Sequence, residues 1–433
     1  MLTHRASTIL GNLPPDWDRE MLVNLLSRQQ GGDWGEDSGE VSIRVVRSTN
    51  FTNTGTLNLD DVEIRYFPAT KASEFALTDG DILVERSGGG PTQPVGRIGF
   101  ISCRLPNYWF SNFVQLLRPD SSKVDPEFLG WLLLELNRSG LVERLQHQTT
   151  QMRNLDFRDY LRIFLPTPKS EEQRSVARIL RAASDLQIAA EAKLTASYRL
   201  KTALIQQLFT RGIPGRHTRF KMTKIGEIPE QWEVTRISSI IASDIYNGVS
   251  PQSRPEPPGT PILNVGCVSD GVCDPNKVTY VDLDESPSED LLAGRGDFYI
   301  LRGNGNREFI ATGGLLVDNP PENCVFSDLL IKISFDHTKT IEGFMPMLWQ
   351  SRSFLRSVQS KAVSGSGLWK IGLREIRRHE FAQPPKSEQS EIVEILRACD
   401  ESVQACQSEV SEIERLKQSL LQNLLTGRVK WKV

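Results

Sequence analysis

Two stretches of this chain set arginine and amide side chains among glycines directly after a strand-like run. Arg86 to Arg97 reads RSGGGPTQPVGR, with Arg86, Ser87, Gly89, Gln93 and Arg97 as candidate contacts; Arg302 to Arg307 reads RGNGNR, with Arg302, Asn304, Asn306 and Arg307. Such side chains can pair bidentately with guanine or adenine edges, and glycine lets the backbone approach a phosphate. A second pair of loops mixes hydroxyls, amides and cations: His147 to Asn154 (Thr149, Thr150, Gln151, Arg153, Asn154) and Ser364 to Lys370 (Ser364, Ser366, Trp369, Lys370). A third pair is Arg47, Ser48, Thr49 and Asn50 in the first half, and Asn264 with Ser250, Gln252 and Arg254 in the second. Singly, each is an ordinary hairpin loop or strand edge. Their recurrence at matching places in both halves is what points to nucleic acid.

Catalytic groups are harder to find. The chain has no GxxxxGK[ST] loop, no HExxH and no GxSxG. Asn319 to Pro321 (NPP) is followed by Glu322 rather than a stacking aromatic, and reads as a turn. Glu191 to Lys193 (EAK) falls mid-helix, as a solvated face. The histidines lack ligand spacing and the six cysteines form no CxxC, so neither a metal site nor a disulfide framework is expected. We expect a chain without catalytic residues or a cofactor of its own.

The elements that position these loops come from a duplication. Glu172 to Gly212, moved forward by 216 positions, meets Glu388 to Arg428 without a gap, and fourteen of the 41 pairs are identical. Chance would give about two or three. Apolar positions in both copies step by four and three, from Val176 through Leu180, Ala183, Leu204 and Leu208, and from Ile392 through Leu396, Val403, Leu420 and Leu424. This is the seam of a coiled coil. Lys201 and Lys417 occupy the same seam position, where a polar residue fixes register. At 1.5 Å per residue each helix reaches about 60 Å. Apolar residues beside the seam (Ile179, Leu186 and Leu200; Ile395 and Leu416) widen the stripe and suggest further partners.

The repeat extends upstream. Gly11 to Trp17 (GNLPPDW) and Gly226 to Trp232 (GEIPEQW) fit GxΦPxxW, where Φ is aliphatic, and GDILVERSGGG from Gly80 aligns with GDFYILRGNGN from Gly296. Val41 to Val46, Ile82 to Glu85, Phe113 to Leu117 and Leu329 to Ile333 read as strands, and Pro126 to Leu145 and Glu342 to Lys361 as helices. Proline-rich boundaries precede the long helices, which Ser170 and Ser387 are placed to cap. The segment Gly31 to Gly39 fits its counterpart, Asn247 to Gly259, poorly. The expected architecture is α+β: two pseudo-symmetric β-rich domains, 1–165 and 222–383, helices at 166–212 and 384–430 pairing as an antiparallel coiled-coil spacer, and a basic linker at 213–221.

The net charge of −3 excludes a uniformly basic nucleic-acid binder but not a local basic face. No apolar run is long enough to span a membrane and no signal-like N-terminus is present, so the expected location is the cytoplasm, without membrane contact.

With these residues in hand, the chain resembles the specificity subunits of type I restriction-modification systems. The resemblance is carried by IGEIPEQWEV (Ile225 to Val234), PTPKSEEQRSVARIL (Pro166 to Leu180), PPKSEQSEIVEIL (Pro384 to Leu396) and the endings near Leu208 and Leu424. It implies that the β-rich parts are target recognition domains reading the two halves of a split, asymmetric site in double-stranded DNA. It also implies two modification subunits that methylate adenine with S-adenosylmethionine, and restriction subunits that use ATP and Mg. A non-reading coiled-coil adaptor and a stand-alone methyltransferase are the competing readings.

Overall fold

The run Ile82–Glu85 is buried at every residue, as a strand covered on both faces must be. In the computed structural model, which describes residues 13–72, 76–88, 93–148, 152–250, 252–365 and 367–429, it lies in a sheet ordered Leu26–Gly31, Val114–Pro119, Ile82–Glu85, Ile98–Phe100. Its counterpart 216 residues on, Phe298–Leu301, is equally buried. That strand lies between Leu330–Ile333 and Gly313–Leu316 in a six-stranded sheet.

Two compact units divide the chain, 1–191 with 409–433 and 192–408. Unit one runs a parallel pair, Tyr108–Phe110 beside Val41–Val46. Unit two repeats it with Val325–Phe326 beside Thr260–Leu263. At Gly32 a side chain would strike the carbonyl oxygens of Ser111 and Phe110, at 2.1 and 2.3 Å. At Gly248, 216 residues on, it would strike Phe326 O at 1.7 Å. The segment where the two halves match worst in sequence thus keeps one close backbone approach in both.

Helix α1 (Pro126–Arg138) starts on an Asp125 cap, with its proline in the first turn. It stops seven residues short of the expected Leu145, because Gly140 takes a left-handed backbone (φ 72°) and Val142–Leu145 continues as a 3₁₀ turn. A short helix α2 (Phe157–Tyr160) precedes the long α3 (Ser170–Thr210). In unit two the single expected helix is two, α4 (Phe344–Trp349) and α5 (Arg352–Gln359), broken at Gln350 and Ser351. Then follow α6 (Leu373–Arg378) and the long α7 (Lys386–Leu425).

Ser170 and Ser387 already lie inside the first turns of α3 and α7, so neither stands at the cap position. The orphan carbonyls ahead of these helices are served by glutamine instead. Gln173 Nε2 donates to Pro168 O at 2.7 Å while its Oε1 accepts from Asp125 N. Gln389 Nε2 donates to Pro384 O at 2.8 Å while its Oε1 accepts from Ile341 N. Each glutamine ties a long helix to the segment 48 residues upstream.

In unit one Val176, Ala177 and Leu180 of α3 share a core with Leu421, Leu424 and Leu425 of α7. Lys417 Nζ donates to Ser184 Oγ (3.0 Å) and Gln187 Oε1 (3.1 Å), and lies over the Trp131 ring. Burial pushes this ammonium below the usual lysine range, with the Arg138 charge adding to the effect. In unit two Ile205, Leu208 and Phe209 of α3 share a core with Ile392, Val393 and Leu396 of α7, and Lys201 pairs with Asp400 at 2.6 Å.

Candidate nucleic-acid interface

The polar loops that the sequence separates by about sixty residues meet in each unit. In unit one Ser87–Gly88, Arg153–Leu155 and Gln146–Gln148 form a three-stranded sheet, with Ser87 opposite Asn154 and Gly88 opposite Arg153. In unit two Gly303–Asn304, Leu368–Lys370 and Val363–Gly365 form the matching sheet, with Gly303 opposite Lys370 and Asn304 opposite Trp369. The sheets hang from equivalent points: Leu155 N donates to Arg86 O at 2.8 Å, and Ile371 N to Arg302 O at 2.9 Å. Short strands crowded with polar side chains have little apolar surface to bury, so what they offer is a surface to bind.

Within these sheets Arg86, Gln93, Asn306, Arg307, Ser364 and Lys370 are exposed. The Arg307 guanidinium lies 4.8 Å from the Trp369 ring centroid, a cation-π contact that stiffens both side chains. Asn304 Oδ1 accepts from Asn306 N (2.9 Å) and Asn306 Oδ1 from Glu308 N (3.0 Å), so both amides shape the turn. Arg153 and Asn154 are half-buried in their strand, and Ser87 is buried. Arg302 donates to Asp328 O at 3.1 Å, and its Nε is buried without a partner. Gly89, Thr149, Thr150, Gln151 and Ser366 lie outside the described residues.

Other candidates are turned into the protein. Arg97 makes two bonds to the fully buried Glu85 carboxylate (2.9 Å each) and one each to Phe51 O and Ser48 O (2.8 Å). Asn50 is 3% exposed; it accepts from Arg47 N and donates to Asn58 O and Asp61 O. Arg47 reaches Asp61 at 3.3 Å and Glu63 at 3.5 Å, leaving Ser48 half-buried and Thr49 exposed beside it. Arg254 grips Asp282 through both terminal nitrogens (2.8 and 2.6 Å), and Asn264 donates to Thr279 Oγ1. Ser250 and Gln252 are exposed. Sequence alone does not separate an arginine that faces solvent from one that a buried glutamate holds.

The recurrent tryptophan has a role that its spacing does not reveal. Trp17 Nε1 donates to Glu172 at 3.2 Å and Trp232 Nε1 to Glu388 at 3.0 Å, so GxΦPxxW is latched to the EQ pair opening each long helix. The six cysteines are all free, and Cys267 and Cys273 lie buried with their sulfurs 3.3 Å apart. Among the described residues no cluster of metal-binding side chains occurs, and no helix is long and apolar enough to cross a membrane.

This duplicated frame has relatives. Residues 36–197 match the family described as type I restriction modification DNA specificity domain. That stretch belongs to the type I specificity-domain family. The similarity runs well beyond it. Across 98% of this chain and 96% of the relative, the sequence is 24% identical to a specificity subunit inferred for the type I restriction enzyme MjaX of Methanocaldococcus jannaschii. Over 83% of this chain and 81% of the relative it is 25% identical to the MjaVIII specificity subunit of the same organism. It is also 25% identical to the EcoKI specificity subunit of Escherichia coli K12, over 44% of this chain and 41% of that one.

Among solved structures, one from work on complex assembly and conformational transition of the type I R-M system aligns with a TM-score of 0.60 at 16% identity. It covers 97% of this chain and all of that one. The type I restriction-modification S subunit from M. genitalium aligns with a TM-score of 0.55 at 14% identity, over 96% of both. At such identities these two likenesses speak for the α+β fold.

Proposed function

We propose that this chain is the non-catalytic reader of a type I restriction-modification complex, recognising a split, asymmetric target in double-stranded DNA with one half-site for each unit. The observation that carries this reading is the matched pair of small polar sheets at a 216-residue offset, each joining two loops rich in arginine, amide and hydroxyl groups. A good bidentate contact from such a side chain discriminates a base by about 1 to 3 kcal/mol. The readers differ between the sheets, as an asymmetric target requires.

The long helices act as the spacer in this reading, paired antiparallel as a pseudo-symmetric coiled coil. Two contacts support it. Lys417 with Ser184 and Lys201 with Asp400 are the same pair of positions seen from either copy, since 184 + 216 is 400 and 201 + 216 is 417. Sequence-specific half-sites read by such duplicated modules lie about one DNA turn, 34 to 36 Å, apart.

Recruitment follows from the apolar residues left over. Leu186, Leu200 and Leu416 are 50%, 58% and 52% exposed, while Ile179 and Ile395 are partly buried against the cores of their units. We assign the exposed leucines to two modification subunits, which supply S-adenosylmethionine chemistry on a flipped adenine. Restriction subunits complete the complex with ATP and Mg. Leu200→Asp with Leu416→Asp should abolish co-purification of the modification subunit; undiminished binding would place that interface elsewhere.

The test of the whole reading is an exchange. Replacing residues 1–165 with the corresponding domain of another specificity subunit should change one half-site of the methylated motif and leave the other. An unchanged motif would favour an adaptor that does not read DNA.

A further inference from the structure

Of the fourteen arginines from Arg19 to Arg162, three meet another arginine 216 positions on: Arg86 with Arg302, Arg158 with Arg374 and Arg162 with Arg378. The three converge in each unit. Arg86 and Arg302 receive, on their carbonyl oxygens, the amides of Leu155 and Ile371, and the next helix begins just beyond, carrying Arg158 in α2 and Arg374 in α6. Arg158, Arg162, Arg374 and Arg378 are all exposed. Arg162 has Asp159 at 3.9 Å, and among the described residues the other three have no carboxylate partner.

Beside these arginines, the residues facing one another across the reader sheets have diverged: Ser87 and Asn154 stand where unit two has Gly303 and Lys370, and Gly88 and Arg153 where it has Asn304 and Trp369. Unlike half-sites demand unlike base readers, but the phosphates flanking them are chemically the same. Cations kept identical beside readers that have changed therefore fit the part of the target common to both halves. In unit two, Arg374 and Arg378 also line a cavity of about 900 Å³ together with Lys361, Ser353, Ser357 and Ser360, a lining suited to phosphate oxygens.

We propose that Arg158 and Arg162 in unit one, and Arg374 and Arg378 in unit two, grip the sugar-phosphate backbone of duplex DNA and set the register in which each polar sheet meets the bases. This rests on the DNA-reading function proposed above and adds its sequence-independent half. The side chains act as point contacts to phosphates; the base preference stays with the sheets.

The experiment follows binding of the full-length chain to mixed-sequence duplex DNA by fluorescence anisotropy at rising KCl concentrations. Arg374→Gln with Arg378→Gln, and separately Arg158→Gln with Arg162→Gln, should weaken binding to every duplex by the same factor. Each should flatten the slope of log affinity against log salt by about 1 to 2, at about 0.9 for each phosphate released. The corresponding lysine variants should restore the slope, because charge rather than shape is needed. By contrast Arg307→Ala should alter the ranking among duplexes. Glutamine variants that keep the wild-type slope while the wild-type chain binds DNA would overturn the phosphate assignment alone; loss of a protein partner in those variants would reassign the arginines to that partner. If the wild-type chain shows no salt-dependent DNA binding, the reading of the chain as a DNA reader fails, and this proposal with it.

Discussion

Trp232 donates its indole N–H to Glu388 at 3.0 Å, and the second oxygen of that carboxylate lies 2.8 Å from His217 Nε2. Both the tryptophan and the glutamate are nearly free of solvent. A carboxylate serving two buried donors cannot be removed without stranding both. Glu388→Ala should therefore destabilise unit two by about 2 to 4 kcal/mol, while Glu388→Gln, which keeps an acceptor for the indole, should cost less. Hydrogen exchange in peptides covering 217–232 and 386–396 measures this; equal protection in the alanine variant would refute the latch.

Arg97 and Arg86 make opposite predictions from similar loop positions. Glu85 is fully buried and holds Arg97, so Glu85→Ala should cost about 3 to 5 kcal/mol by leaving a charge without its partner. Arg86 is exposed, and Arg86→Gln should stay within about 0.5 kcal/mol of the parent. Denaturant titration of the two variants separates a structural arginine from one presented to a ligand.

Unit one carries the weaker version of the helix-pair contact. Lys417 meets the Ser184 hydroxyl where Lys201 meets the Asp400 carboxylate. Copying the second into the first, Ser184→Asp should stabilise the chain by about 0.5 to 1 kcal/mol. A lowered melting temperature would mean that these two side chains do not face each other.

His379 makes unit two sensitive to acid. Burial holds its pKa down at about 4, with the Lys361 charge adding to the effect, and its Nε2 lies 2.9 Å from Ser357 Oγ. Because the folded value lies below the unfolded value of 6.5, the unfolded chain takes up the proton first. The neutral ring's contribution is complete above pH 6.5 and is lost as pH falls towards 4, amounting to about 3 kcal/mol when fully lost. His379→Gln should flatten that part of the stability-pH curve, as read by exchange in peptides around 352–381.

The duplication was plain in the sequence because helix seams repeat in a simple period and identical residues accumulate on them. The buried strands at Ile82 and Phe298 were equally plain. What the sequence did not show was partnership across long separations. Nothing local in HQTTQMRN announces that Arg153 pairs against Gly88, or that Arg97 is captured by Glu85 while Arg86 is left free. The helix over Pro126 to Leu145 was drawn too long because Gly140 was read as a tolerated residue rather than a terminator. Arg158 and Arg374 could have been found from the 216-residue offset alone, had it been applied to charged residues as well as to motifs.

Methylation mapping of a host genome with and without this chain, its partner subunits present in both, tests the central claim most directly. The account predicts that removal erases methylation at one split motif with a fixed gap, and that inserting four residues after Ala190, about one helical turn, changes the gap while both half-sites persist. An unchanged methylation pattern after removal would contradict it.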